Sequence, residues 1–154
     1  SNMGKPGRTR DKEAEALGFR GASQELQCGL AYAGFRHMDE WQKQRQKIIR
    51  KIWSELENLP IRFIKGGKYC LSSYHKIPLE IENRNDFIKF MKANGIDARL
   101  TYVTNWSKTF GSGKTMPMSD RLSNSTCNLP LSPFFKEAEV QKIIKTVKRY
   151  FSAG

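Results

Sequence analysis

Residues 83–103 read NRNDFIKFMKANGIDARLTYV, and the parsing of this stretch decides the fold. Its first part has helical spacing, with Phe87, Phe90 and Met91 on one face. Asn85 is placed to cap that helix. Gly95 fits the position just beyond its end, where a left-handed backbone is wanted. The pattern then changes, and ARLTYV, 98–103, reads as a strand. Upstream, SYHKIPLEI, 73–81, puts His75, Ile77, Leu79 and Ile81 on one face at period two. Pro78 within it suggests an edge strand or a bulge. IRFI, 61–64, is a further short strand. Downstream, SDRLSNS, 119–125, reads as a short helix and CNLPLSP, 127–133, as extended chain. KEAEVQKIIKTVKRYF, 136–151, closes the chain as an amphipathic helix with Val140, Ile143, Ile144 and Val147 inward. The sum is an α+β layer: a small antiparallel sheet covered by helices on one face.

Ahead of the sheet lies a long helical pattern. Leu26, Leu30, Ala33, His37, Trp41, Ile48, Ile52 and Leu56 recur mostly at steps of three, four or seven, which keeps them on one stripe. Ser23 is placed to cap it, and Pro60 stops it. A helix of about 30 residues is roughly 45 Å long, more than a small domain needs. Part of it is therefore expected to pack on something outside this fold, or to kink near Gly34. Ser1-Asn2-Met3 reads as a tag remnant, and residues 4–16 lack apolar periodicity. The organisation expected is a scar and flexible arm over 1–16, a long linking helix over 17–59 and a small α+β domain over 60–151.

The 154 residues suit one core, and 38% of them are hydrophobic. No apolar run is long enough to span a bilayer, and no signal peptide is visible, so the chain reads as cytoplasmic. Cys28, Cys70 and Cys127 lack metal-ligand spacing and read as reduced thiols. Lysine and arginine number 27 against 15 aspartates and glutamates, a net charge of +12. That excess keeps open a stand-alone module for nucleic acid or another anion. Neither zinc-finger spacing nor an aromatic RNA-binding motif accompanies it.

One motif invites a nucleotide reading. TFGSGKTMP, 109–117, contains GSGKT, the end of a phosphate-binding loop. The full rule, G-x-x-x-x-G-K-[ST], needs a first glycine at 108, where Lys108 stands. Pro117 also argues against a helix continuing from the loop through Met116. The stretch therefore reads as part of a polar, glycine-rich loop running from Thr104 to Met116.

Two blocks resemble the DegT/StrS-type sugar aminotransferases. LGFRGASQELQCGLAYAGFRHMDE, 17–40, resembles a segment of that family through Gly18, Phe19, Gly21, Glu25, Leu26, Gln27 and Asp39. FIKFMKANGIDARLTYV and PMSDRLSNSTCNLPLSP resemble later ones through Gly95, Ile96, Arg99, Tyr102, Pro117, Leu122, Ser123, Leu129, Pro130, Leu131 and Pro133. The resemblance covers about residues 17–151. It implies a pyridoxal-phosphate enzyme that aminates nucleotide-linked keto-sugars, of which this chain is the C-terminal part. The large domain that carries the catalytic lysine would be absent. The linking helix would then pack on that domain and near a dimer partner.

The resemblance also implies site residues. The family's asparagine that reaches the cofactor phosphate is Arg20 here, which can grip a phosphate bidentately, although the basic residue two positions on is Ala22. Arg99 and Tyr102 stand where the family's C-terminal domain approaches the substrate. Read from the residues alone, they are a strand arginine pairing a surface carboxylate and a half-buried tyrosine. Trp106, in the polar loop, is the one aromatic read as facing a ligand. Lys114 imitates the family's lysine pattern, [ST]-F-x-x-x-K, but follows the long helix instead of preceding it. It is read as reaching an anionic sugar nucleotide, not as carrying cofactor. His37 and His75 have no second ligand or nucleophile beside them, so neither a metal nor a triad is expected. Trp41 and Trp53 read as core or subunit contacts. Three functions follow: a C-terminal aminotransferase domain without catalytic machinery of its own, a basic binding module, or a folded inactive remnant.

Overall fold

A computed structural model describes residues 25–67, 72–101, 110–111 and 116–152. Two compact units divide the chain, residues 1–39 and 40–154. The first is described from Glu25 onward and is helical there. The elements are α1 (Glu25–Leu56), β1 (Arg62–Phe63), β2 (Ile77–Glu80), α2 (Arg84–Ala93), β3 (Arg99–Leu100), α3 (Pro117–Ser125), β4 (Thr126–Leu129) and α4 (Glu137–Ser152). Helix α1 begins in the first unit, ends in the second and is unbroken at Gly34.

Four strands form one sheet among the described residues, in the order β1-β2-β4-β3, and every pairing is antiparallel. Strands β2 and β3, on either side of α2 in sequence, are separated in the sheet by β4. Strand alternation sorts the side chains. Ile77 and Leu79 of β2, with Cys127 and Leu129 of β4, lie on one face and are fully buried. They join one apolar cluster with Ile52 of α1, Phe87 and Met91 of α2, and Ile144 and Val147 of α4. The expected layer is found, with α1, α2 and α4 packed on the apolar face; α3 instead lies at the Glu80 edge of the other face.

Helix α2 ends as its sequence predicts. Gly95 has a φ of +71°, Gly95 N–H donates to Lys92 and Ile96 N–H donates to Met91, both at 2.9 Å. This paired arrangement satisfies the last carbonyls of the helix. The start differs from expectation. The cap position is Asn83, not Asn85, and no side-chain cap bond forms there. Asn85 instead accepts a bond from Arg84 Nε at 3.2 Å.

Pro78 also behaves differently from expectation. Pro78 lies in β2, between β1 and β4, and not on an edge. Its carbonyl accepts from Ile64 N–H at 3.1 Å, so its nitrogen faces β1 as well. The return bond to Ile64 cannot form without an N–H, and β1 stops at Phe63. Pro117 keeps Met116 non-helical, at φ −124° and ψ 79°, as expected, and itself opens α3 at a first-turn position whose N–H would be unpaired in any case. The alternation expected through 73–81 holds only from Ile77. His75 precedes the strand and is exposed, not inward.

Candidate functional site on the open face of the sheet

The sheet face away from the apolar cluster carries polar groups in two cross-strand rows. Pro78, Asn128 and Arg99 form one row across β2, β4 and β3. Arg62, Glu80 and Thr126 form the other across β1, β2 and β4. Glu80, Thr126 and Asn128 are buried, which obliges them to find hydrogen-bond partners.

At the first row, Asn128 donates from Nδ2 to Thr101 Oγ1 at 3.1 Å. Arg99 donates from Nε to Asp97 at 2.8 and 3.0 Å and from Nη2 at 2.7 Å. The guanidinium holds the Asp97 carboxyl below its ordinary range, and the nearby charges of Lys92 and Lys76 push the same way. The surface-carboxylate pairing read for Arg99 from the residues alone is present. His75, Lys76, Asp97, Arg99 and Asn128 line a cleft of about 310 Å³ whose wall is completed by Leu129, Pro130 and Leu131. One carboxylate among Lys76, Lys92 and Arg99 leaves this end of the sheet cationic, suited to an anionic ligand.

At the second row, Glu80 collects three partners. Arg121 of α3 donates from Nε to Oε1 at 2.8 Å. Arg62 donates from Nε to Oε2 at 2.6 Å and also through Nη2. Ser125 Oγ lies 3.0 Å from Oε1 as a third donor. The bond from Arg121, with help from Arg62 and Ser125, lowers the Glu80 carboxyl to about 2 against the opposing effect of burial. Burial pushes the Cys127 thiol the other way, up to about 12, and makes it unreactive.

A sequence model of the DegT/DnrJ/EryC1/StrS aminotransferase family matches residues 1–148. The chain belongs to that family. The sensory transduction protein EryC1 of erythromycin biosynthesis, from Saccharopolyspora erythraea, is 23% identical over 141 residues, covering 87% of this chain and 38% of that protein. The fold matches that of the aminotransferase TlmJ from Streptoalloteichus hindustanus, with a TM-score of 0.81 at 19% identity, covering 92% of this chain and 40% of TlmJ. DesV of S. venezuelae, solved in complex with a ketimine intermediate, matches with the same score, identity and coverage. The chain thus spans about two fifths of the length of these relatives.

Of the site residues expected in this aminotransferase-family chain, Arg99 lies on the open face. Arg20, Tyr102, Trp106 and Lys114 fall outside the described residues. Pyridoxal phosphate needs a lysine made nucleophilic by desolvation or neighbouring charge. None of the described lysines is buried, so desolvation activates none of them. Sequence reading missed Lys76, Asp97, Asn128 and the Glu80 group. The face of Asn128 and Glu80 follows from alternation against Leu129 and Leu79, but their partners lie far along the chain.

Proposed function

We propose that the chain is the C-terminal part of a nucleotide-sugar aminotransferase, acting in the cytoplasm and not catalytic alone. Family membership and the two-fifths coverage support this reading. The observation that carries it is the first unit's helix. Leu26, Leu30, Tyr32 and Phe35 are 74%, 67%, 65% and 68% exposed. Leu26 and Leu30 share one side of the helix, and Tyr32 and Phe35 share the opposite side. A helix apolar on two sides is one that other surfaces cover. The coverings proposed are a lysine-bearing N-terminal half and a second copy of the same assembly. The open sheet face would then supply the substrate side, through Arg99 and the proposed Tyr102, Trp106 and Lys114. Arg20 would approach the cofactor phosphate.

Light scattering coupled to size exclusion tests the covering. The wild-type chain should self-associate, and Leu30→Glu or Phe35→Glu should return it to monomer. A wild-type chain that stays monomeric at high concentration, unaffected by either change, would sink this part. Borohydride treatment with pyridoxal phosphate should fix the cofactor to no single lysine. Labelling confined to Lys114 would overturn the non-catalytic reading. The +12 charge and the Lys76, Lys92 and Arg99 cluster favour one other reading, a nucleic-acid binder. That reading requires affinity that falls steeply with salt, and a flat titration at low salt removes it.

A further inference from the structure

Helix α3 is attached to the second unit unlike its neighbours. Helices α1, α2 and α4 bury four, three and five residues, whereas α3 buries none. Met118 in its first turn is 61% exposed. Polar contacts hold it down instead. Arg121 and Ser125 bind Glu80, and Arg84 at the start of α2 donates from Nη1 to the Ser123 carbonyl. Apolar burial is what makes an element open only with the whole fold, and α3 lacks it. The carboxylate beneath is also not orphaned when α3 leaves, because Arg62 of β1 still holds Glu80. An orphaned buried carboxylate would penalise opening strongly, and that penalty is absent here, leaving as the backbone cost the bonds from Ile81 N–H to the Ser125 carbonyl at 2.9 Å and from Thr126 Oγ1 to the Leu122 carbonyl at 2.6 Å.

We propose that α3 is a detachable cover over the Glu80 end of the open sheet face, held by a polar latch of Arg121, Ser125 and Arg84. It opens as a unit, without unfolding the core, and bares Glu80 and Thr126. This does not depend on the reading of the chain as part of an aminotransferase.

Amide hydrogen exchange resolves the proposal residue by residue. In the wild type, amides of residues 120–125 should exchange at least about tenfold faster than those of residues 143–147 in α4, after correction for intrinsic rates. Arg121→Ala removes one arm of the latch while Arg62 keeps Glu80 paired. Arg84→Ala removes an independent arm. Each should speed α3 exchange by a further factor of about ten, as expected for a lost charge-assisted bond, and leave α4 within about twofold. Equal protection of α3 and α4 in the wild type would overturn the proposal. So would variants that speed both helices alike, or that leave α3 unchanged.

Discussion

Replacing Glu80 by glutamine removes a charge and leaves the shape. The ordinary carboxyl titrates at 4.5 and Glu80 at about 2. At about 1.36 kcal/mol per pH unit, that gap sets a ceiling of about 3 kcal/mol on what its charge adds to stability. The carboxylate keeps 10% of its side-chain surface, but Arg62 and Arg121 keep 61% and 55% of theirs. Water screens interactions made from that side, so the expected loss near neutral pH is ~1–2 kcal/mol. The sign follows from the depressed folded value. The contribution is complete above the unfolded value of 4.5 and is lost as pH falls through about 2. Urea unfolding of wild type and Glu80→Gln, followed by tryptophan fluorescence at several pH values from about 7 down to about 2, measures the difference directly. Other carboxylates titrate in both proteins and cancel. The stability gap should be constant above about pH 5 and close toward pH 2. A gap of the same size at both ends would refute the ionic account of Glu80, and no gap at neutral pH would refute its importance.

Ile52→Ala empties a fully buried position in α1 and should cost ~2–5 kcal/mol by chemical denaturation. Gly95→Ala forces a left-handed backbone at φ +71° on a residue with a Cβ. The new atom would meet Lys142 Nζ at 3.1 Å, a flexible end that can move aside, so the expected loss is the backbone cost of ~1 kcal/mol. A lowered melting temperature without loss of helical circular dichroism is the readout. Alkylation with iodoacetamide near neutral pH, mapped by mass spectrometry, should label exposed Cys28 in the native protein and spare Cys127 until the chain unfolds.

The long-period features were legible because many residues repeat the same instruction. Four inward positions of α4 agree with one another, and all four are buried. Gly95 was legible for a different reason, since few residues tolerate its backbone. The strands were harder. They run only two to four residues, too short for alternation to show where pairing ends. Extending the period back to His75 placed an exposed residue in the core. Pro78 misled because its effect depends on where the missing N–H points, and a single chain reading does not supply that direction. The Glu80 group was invisible for a geometric reason. Arg62 and Arg121 lie 18 and 41 residues from it, and only the sheet register brings all three together.

The bond that Pro78 withholds has a consequence for how copies of this chain can meet. Both outer strands, β1 and β3, are two residues long. A strand that short offers too few free backbone groups to template another chain. Among the described residues, growth by strand addition, the usual route from an exposed sheet to fibrous aggregate, therefore has little edge to work from. Association through side chains has its densest apolar ground in the helix of residues 25–38, where Leu26, Leu30, Tyr32, Phe35 and Met38 are exposed. The chain can remain adhesive toward a specific partner without being adhesive toward itself in an open-ended way.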